Sequence, residues 1–405
     1  MYTIRGHRLV RGLLFMARSF WHITDLHWDP TYKLSDDPEL VCASSGGRPA
    51  SGAGQFGDYV CDSPWNLINS SVYAMKMILP DPDFIVWTGD DTPHVPNEDL
   101  GEEAVVNIIG NLTQLIKEVF PSAFYTEKLL SRTGFRMLVL NTNLYYDQNA
   151  LTQNMEDPAD QFRWTDQVLT EAVYIIGHVP PGFFEKKRSK PWFMPKFNQY
   201  YLDLIKKHHS VIRGQFFGHH HTDSFRMFYD GAGSPISTMF LSPGVTPWKT
   251  TLPGVVDGAN NPGIRVFEYD TETLLVKDVV TYYLDLAHAN AVTGRWEKEY
   301  RLTETFRVPD ASPASMHQAL ERIASDRCFL QKYYDFNSVN YDLTTCDSDC
   351  RIDHVCAARE VDFDRYEDCL VKEGATSVYS GILPVVSVAV NLGLLALVEL
   401  DIPRK

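Results

Sequence analysis

Runs of consecutive apolar residues alternate along this chain with segments whose apolar residues recur every three or four positions. The runs FWHIT, DFIVWTGD, FRMLVLNTN, AVYIIGHV, VIRGQFFGHHH, PISTMFLSP and GIRVFEYD are typical of buried strands. Helical spacing occurs at residues 64–79, 102–120, 158–172 and 197–208. Buried strands separated by helices predict a layered α/β domain with helices on the outside. From about residue 312 to about residue 369 the pattern is helical and rich in cysteine.

Side chains that commonly bind metals follow four of these predicted strands. Asp25 and His27 come after the first strand, and Asp90 follows DFIVWTG. His178 follows VYIIG, and the histidines 219–221 follow GQFFG. Any one of these residues is easily explained as a structural loop residue. Functional groups gather where the strands of α/β sheets end, so four such positions together indicate a shared site.

Carboxylates and imidazoles are the ligands of a divalent metal such as zinc. Asp25 and His27 lie two apart, so they leave an extended segment on the same face. The set is large enough for a pair of metals with one bridging carboxylate. Two adjacent metals activate a water molecule and hold phosphoryl oxygens, which is chemistry suited to hydrolysis of a phosphate ester.

Composition restricts the partners of this chain. It has 405 residues, 44% of them hydrophobic, which is enough for a large core and more than one domain. Its net charge of −15 argues against a nucleic acid polymer as a partner, because phosphate binding needs a basic surface.

Seven cysteines are unevenly placed. Two flank a segment rich in Gly and Ser, four crowd the C-terminal region, and Cys328 is left over. Short-range disulfides and an oxidising compartment are the favoured interpretation. Buried free thiols remain the alternative, and the spacing matches no regular zinc motif. The glycosylation sequons at Asn69 and Asn111 agree with an extracellular chain.

The two ends of the chain carry different indications. Residues 1–19 are basic, but their apolar core spans only residues 13–17, which is shorter than a signal peptide needs, so this N-terminus does not indicate export. Residues 382–398 form an apolar run preceded by small residues, which favours a GPI signal and attachment to a membrane surface. A single membrane span is the second interpretation, and an amphipathic core helix is the third.

The motifs D-x-H, GD, GH and GHxH, in this order, resemble those of the calcineurin-like metallophosphoesterases. The longer stretches WHITDLHWDP, WTGDDTPH, GHVPPGFFEK and GQFFGHHHTDSFR are similar to the acid sphingomyelinase-like phosphodiesterases, over about residues 20–370. The resemblance implies a layered calcineurin-like α/β sandwich with a small Cys-rich helical C-terminal subdomain. It divides the chain into an atypical N-terminal segment (1–19), a catalytic domain (20–300), a disulfide-bearing helical subdomain (301–373) and a GPI-signal-like tail (374–405).

The resemblance also implies specific roles. Asp25, His27 and His221 would bind a first Zn²⁺, Asp90 would bridge, and His178 and His219 would bind a second Zn²⁺. His94 matches a histidine close to the substrate phosphate, whereas His220 is not expected to be a ligand. The implied disulfides are Cys42–Cys61, Cys346–Cys350 and Cys356–Cys369.

One family motif has no counterpart here. The family carries GNH followed by an acid, whose Asn binds the second metal and whose His can protonate the leaving group, but this chain contains no Asn-His dipeptide. We predict that a segment is missing near residues 121–125. The second Zn²⁺ would then bind more weakly, and general-acid assistance of about 10²–10⁴-fold would be lost unless His94 substitutes. A second break is expected at residues 171–173, where helix and strand follow with essentially no loop.

Three functional hypotheses follow. The first is an extracellular, zinc-dependent phosphodiesterase, GPI-anchored or secreted and monomeric, that acts on sphingomyelin-like lipids or nucleotide phosphoesters. The second is a binding ectodomain without turnover, and the third is a non-functional splice product. Four aromatic residues are candidates either for contact with a choline head group or base, or for the core: Trp28, Tyr145, Tyr146 and Trp248.

Overall fold

The computed structural model describes residues 18–121 and 135–380, with side chains as far as residue 374. The strands are β1 Arg18–Ile23, β2 Ile85–Trp87, β3 Phe135–Val139, β4 Ala172–Ile176, β5 Ile212–Phe217, β6 Ser224–Tyr229, β7 Pro235–Leu241, β8 Gly263–Tyr269, β9 Val276–Leu284 and β10 Trp296–Arg301. The α-helices are α1 Trp65–Ile78, α2 Glu102–Val119, α3 Gln161–Val168, α4 Pro195–His208, α5 Leu286–Ala291, α6 Leu302–Phe306, α7 Pro313–Ser325, α8 Arg327–Asn337, α9 Ser348–Arg359 and α10 Phe363–Ser380.

Three predictions fall on parts of the chain that lie outside the described residues. They are the short apolar core at 13–17, the missing segment just after residue 121, and the apolar run at 382–398. Among the described residues, no helix combines the length and the apolar character needed to cross a membrane.

The strands of the described residues form two five-stranded sheets. The first has the order β10-β9-β8-β1-β2, and only its β1–β2 pair is parallel. The second has the order β3-β4-β5-β7-β6 and is parallel except for β6. Parallel neighbours end at the same edge of a sheet, so β1 with β2, and β4 with β5, present their following loops together.

The two sheets pack face to face around an aromatic core. The fully buried ring of Phe20 on β1 stacks on Phe267 of β8 with ring centroids 5.2 Å apart. It also meets the edges of rings from the opposite sheet, at 5.3 Å from Phe216 and 5.8 Å from Tyr174. Because the two sheets share this core, the ends of their strands have fixed positions relative to one another.

Helices cover the outer faces of both sheets. On α1, the buried residues Leu67, Ile68, Val72 and Met75 follow helical spacing and pack with Trp21 and Ile23 of β1. On α4, Phe197, Tyr201 and Ile205 pack similarly against β4 and β5. The predicted layered α/β sandwich is thereby confirmed.

Three strands, the two short helices α5 and α6, and one helix boundary differ from the sequence prediction. Strands β6, β9 and β10 were not predicted. Of these, β10 (WEKEYR) lies at a sheet edge, where exposed charged side chains remove the apolar signal. The third helix is shorter than the predicted residues 158–172, because Ala159 and Asp160 have positive φ and α3 ends at Val168. Residues 169–171 separate it from β4, so the expected helix–strand junction without a loop was wrong.

The C-terminal region is helical and disulfide-bonded, as expected. Helices α7 and α9 pack against β6 and β7, so this region extends the core of the second sheet. The three disulfides are Cys42–Cys61, Cys346–Cys350 and Cys356–Cys369, which are the pairings that the resemblance implies. Cys328 is a free, exposed thiol.

Candidate metal centre

The loops that follow β1, β2, β4 and β5 meet at one edge of the sandwich. The backbone N–H of Asp25 donates to Gly89 O at 2.9 Å, which joins the first two loops. The N–H of His219 donates to the Asp25 carboxylate at 3.0 Å, which joins the two sheets. Residues far apart in sequence are therefore fixed against one another by short hydrogen bonds.

Asp90 lies at the centre of the cluster. Its Oδ2 is 3.1 Å from His178 Nε2 and 3.4 Å from His27 Nε2. The Oδ1 of Asp25 lies 3.5 Å from His221 Nε2. Three sets have potential ligand atoms within 4.8 Å of one another: Asp25, His27 and Asp90; Asp90, His178 and His219; and His27, His94 and His221. The structure therefore brings together every residue predicted as a metal ligand, with Asp90 shared by two sets.

Hydrogen bonds to backbone carbonyls orient the imidazoles. His27 Nδ1 donates to Thr92 O at 2.6 Å, and His178 Nδ1 donates to Thr88 O at 3.1 Å. Each bond places the proton on Nδ1 and directs Nε2 towards Asp90, as is usual for metal-binding histidines. Within the described part of the chain, the buried Nε2 atoms of His27 and His219 have no hydrogen-bond partner. These two nitrogen atoms can each donate an electron pair, so they fit a bound cation.

The charges of the cluster also fit a cation. Burial lowers the pKa of His27, but the Asp90 and Asp25 carboxylates outweigh burial and raise the pKa to about 10. Burial dominates at His221 and lowers its pKa to about 3. Burial raises the pKa of Asp25, yet the charge of His178 and the contact with His27 outweigh that effect and hold the pKa below its usual value. The carboxylates of Asp25 and Asp90 therefore favour positive charge in this cluster, and a divalent ion supplies it without a proton.

Backbone strain is concentrated at the same residues. Asp25, His27, Asp90, His219 and His221 all have positive φ, between 38° and 71°. This left-handed conformation costs about 1–2 kcal/mol for a residue with a side chain. Strain of this kind persists where the surrounding structure imposes it, and it clusters at functional sites.

His94 lies beside the cluster in a fixed orientation. Its ring stacks on Trp248 with centroids 3.7 Å apart and on His27 at 4.1 Å. Its Nδ1 lies 3.0 Å from the fully buried carboxylate of Asp62, which also accepts the backbone N–H of His94 at 2.6 Å and the Thr246 hydroxyl at 2.9 Å. Sequence reasoning missed Asp62, because no local pattern connects it with His94, which is distant in sequence.

A cleft of about 190 Å³ opens over the cluster, and its walls include the predicted residues Asp90, His94, His219 and His221. Of the four aromatic candidates, Tyr146 and Trp248 line the cleft. Tyr145 is fully buried, and Trp28 is half-buried against Trp65, so these two belong to the core.

Several further residues of the cleft were not predicted, including Trp192 and Lys186. Trp192 meets His219 edge-on at 4.4 Å. Lys186 donates to Asn260 Oδ1 at 3.3 Å, and burial lowers its pKa to about 8. Lys186 is the last residue of the stretch GHVPPGFFEK, and Trp192 follows it closely, so only their position near a strand end could have indicated them.

The remaining predicted residues lie outside the cluster, although His220 also lines the cleft. His220 turns away from the cluster, with Nδ1 3.3 Å from Glu185. Asn69 is half-buried on α1, and Asn111 is exposed on α2. Asn111 is therefore the more accessible glycosylation candidate.

Comparison with known proteins shows which family this chain resembles. Residues 234–376 match the family "Acid sphingomyelin phosphodiesterase C-terminal region". Acid sphingomyelinase-like phosphodiesterase 3b of Homo sapiens is 54% identical over 456 positions, covering 96% of this chain and 100% of the relative. The Homo sapiens cyclic GMP-AMP phosphodiesterase SMPDL3A is 37% identical, covering 87% of this chain and 89% of the relative.

Sphingomyelinase phosphodiesterase C of Dictyostelium discoideum is 34% identical, covering 87% of this chain and 92% of the relative. The alignment with the human 3b protein is longer than this chain of 405 residues, so that relative has segments without a counterpart here. The resemblance inferred from the motifs is confirmed: this chain belongs to the acid sphingomyelinase-like phosphodiesterases, a family of phosphodiester hydrolases.

Proposed function

We propose that this chain hydrolyses phosphodiester bonds at a binuclear zinc centre. Asp25, His27 and His221 would hold the first Zn²⁺, with Asp90 as the bridge. His178 and His219 would hold the second. One observation carries the proposal: the Nε2 atoms of several histidines converge on Asp90. Among the described residues, two of these nitrogen atoms, on His27 and His219, are buried without a hydrogen-bond partner. Imidazole and carboxylate donors of this kind suit zinc.

When bound, the two metals would lower the pKa of a bound water and neutralise charge on the phosphoryl oxygens. The residues of the chain would position the substrate around them. His94 lines the cleft and is fixed by Asp62 and Trp248, so its Nε2 can hold a proton near the leaving oxygen. Lys186 places a positive charge in the same cleft, and Tyr146, Trp192 and Trp248 provide flat walls for an organic substituent.

The second metal position would be the weaker one. We infer that the segment bearing the family's Asn ligand is missing near residues 121–125, which leaves Asp90, His178 and His219 as protein ligands. Two observations support this inference. Strand β2 is the outermost strand of its sheet in the described part of the chain, and the human 3b relative is longer than this chain. His94 is then the histidine available for proton donation.

The substrate classes that we propose are sphingomyelin-like lipids and nucleotide phosphoesters. The names of the relatives support both, since one group is called sphingomyelinase-like and another acts on cyclic GMP-AMP. We also propose an extracellular location, secreted or GPI-anchored, and a monomeric, glycosylated chain. Three disulfides support the location, because disulfides persist in oxidising compartments.

The test is turnover by the purified full-length chain. The chain is stripped of metal, reloaded with Zn²⁺ and assayed with bis(p-nitrophenyl) phosphate. We expect turnover that depends on Zn²⁺, and we expect Asp90→Asn to abolish it, because the bridge then loses its charge. Asp166→Asn is the matched control, since Asp166 lies on the surface with Lys207 and His208. A folded chain without zinc-dependent turnover contradicts the proposal and favours a binding ectodomain.

A further inference from the structure

A buried polar cluster lies against the His219–His221 segment, on the side that His220 faces. We name it the Glu185 hub, and it consists of Glu185, Thr222, Arg226 and Asn337. All four residues are buried, and Glu185 and Arg226 have fully buried side chains. Buried charges of this kind persist only when they are paired and hydrogen-bonded.

Glu185 accepts a hydrogen bond from each other member of the hub. Arg226 Nη2 donates to its Oε2 at 2.5 Å. Thr222 Oγ1 and Asn337 Nδ2 donate to its Oε1 at 2.8 Å and 2.7 Å. His220 Nδ1 lies 3.3 Å from the same Oε2.

The hub joins the two loops that carry histidines of the second sheet. Glu185 lies on the loop that begins at His178, and Thr222 directly follows His221. Asn337 ends α8 in the C-terminal helical region, and its Nδ2 also donates to Asp223 O at 3.1 Å. The backbone N–H of Asp223 in turn donates to Asn337 O at 3.0 Å. The segment behind His221 is thus anchored to a helix more than a hundred residues away in sequence.

The segment needs an anchor because its backbone is strained. His219 has φ of 71° and His221 has φ of 59°, so both residues adopt the left-handed conformation. Their side chains face the metal cluster, while the side chain between them turns to Glu185. Through Thr222 and His220, the hub contacts residues that adjoin both flanking histidines.

We propose that Glu185 is a positioning residue for His219 and His221, acting through Thr222, His220 and Asn337, so that the C-terminal helices support metal binding. This inference rests on the proposed function, because it requires those histidines to bind a metal. Groups behind metal ligands typically change metal affinity by about 10-fold to 100-fold when removed.

The experiment measures Zn²⁺ affinity rather than turnover. The metal-free full-length chain competes with a chromophoric chelator for Zn²⁺, and Co²⁺ absorption reports the ligand geometry. The variants are Glu185→Gln and Thr222→Val, the second of which removes one donor without changing shape. The matched control is Thr303→Val, because the Thr303 hydroxyl donates to the buried carboxylate of Asp278 at 2.7 Å, on strand β9. Thermal unfolding of the metal-free variants shows which of them fold.

We expect about 10-fold or greater loss of Zn²⁺ affinity in Thr222→Val and Glu185→Gln, an altered Co²⁺ spectrum, and unchanged affinity in Thr303→Val. If Thr222→Val folds and binds both metals like the parent chain, the hub is only structural and this inference is overturned, while the proposed function stands. If the parent chain itself binds no Zn²⁺, the proposed function fails, and the inference fails with it. If Glu185→Gln does not fold, Thr222→Val decides alone.

Discussion

Replacing Asp62 with Asn tests whether His94 depends on its buried partner. The Asp62 carboxylate is fully buried and accepts bonds from the backbone and ring of His94 and from Thr246. Asn keeps the size of the side chain and removes the charge. A hydrogen bond to a charged group stabilises by about 1.5–3 kcal/mol and a neutral one by about 0.5–1.5 kcal/mol, so the His94 orientation loses about 1–2 kcal/mol. That difference corresponds to about 5-fold to 30-fold in rate.

The assay compares two phosphodiesters that differ in leaving group. If His94 donates a proton to the leaving oxygen, Asp62→Asn reduces kcat more for an alkyl ester than for a p-nitrophenyl ester, because p-nitrophenolate leaves without a proton. Asp58→Asn is the matched control, since Asp58 is a buried carboxylate that accepts the N–H groups of Gly52 and Val60 in the same region. Parent-like turnover of both esters by Asp62→Asn, or an equal loss in Asp58→Asn, would refute the reasoning.

Three further predictions test the cleft and the fold. Lys186 is cationic below its pKa of about 8 and neutral above it. The KM for an anionic substrate should therefore rise as the pH increases through about 8. The KM–pH profile of Lys186→Met should lack that rise. Replacing Cys356 and Cys369 with Ser opens a loop of 13 residues and should lower the free energy of unfolding by about 3 kcal/mol, measured by denaturant titration; an unchanged midpoint would contradict it. Phe20→Ala should cost about 3–5 kcal/mol in the same titration, because its ring fills the space between the sheets; a loss below about 1 kcal/mol would show that the core collapses around it.

The local sequence predicted most of the elements and the ligand types. Strands such as PISTMFLSP and helices such as residues 102–120 were visible because burial on both faces, or on one helical face, leaves a regular apolar pattern. Asp25, His27, Asp90, His178, His219 and His221 were visible because each follows such a strand. Strand β10 was missed because an exposed edge strand needs no apolar run.

Only the tertiary structure decided which side chains meet and what holds them. Asp90 is central because β2 pairs in parallel with β1 and both face the second sheet, a relation that no local pattern contains. Asp62 and Glu185 contact histidines that are distant from them in sequence, so no spacing rule identifies them. The candidate metal-binding residues of this protein were indicated by the local sequence. Their orientation, charge and support come from contacts that form only when the two sheets and the C-terminal helices pack together.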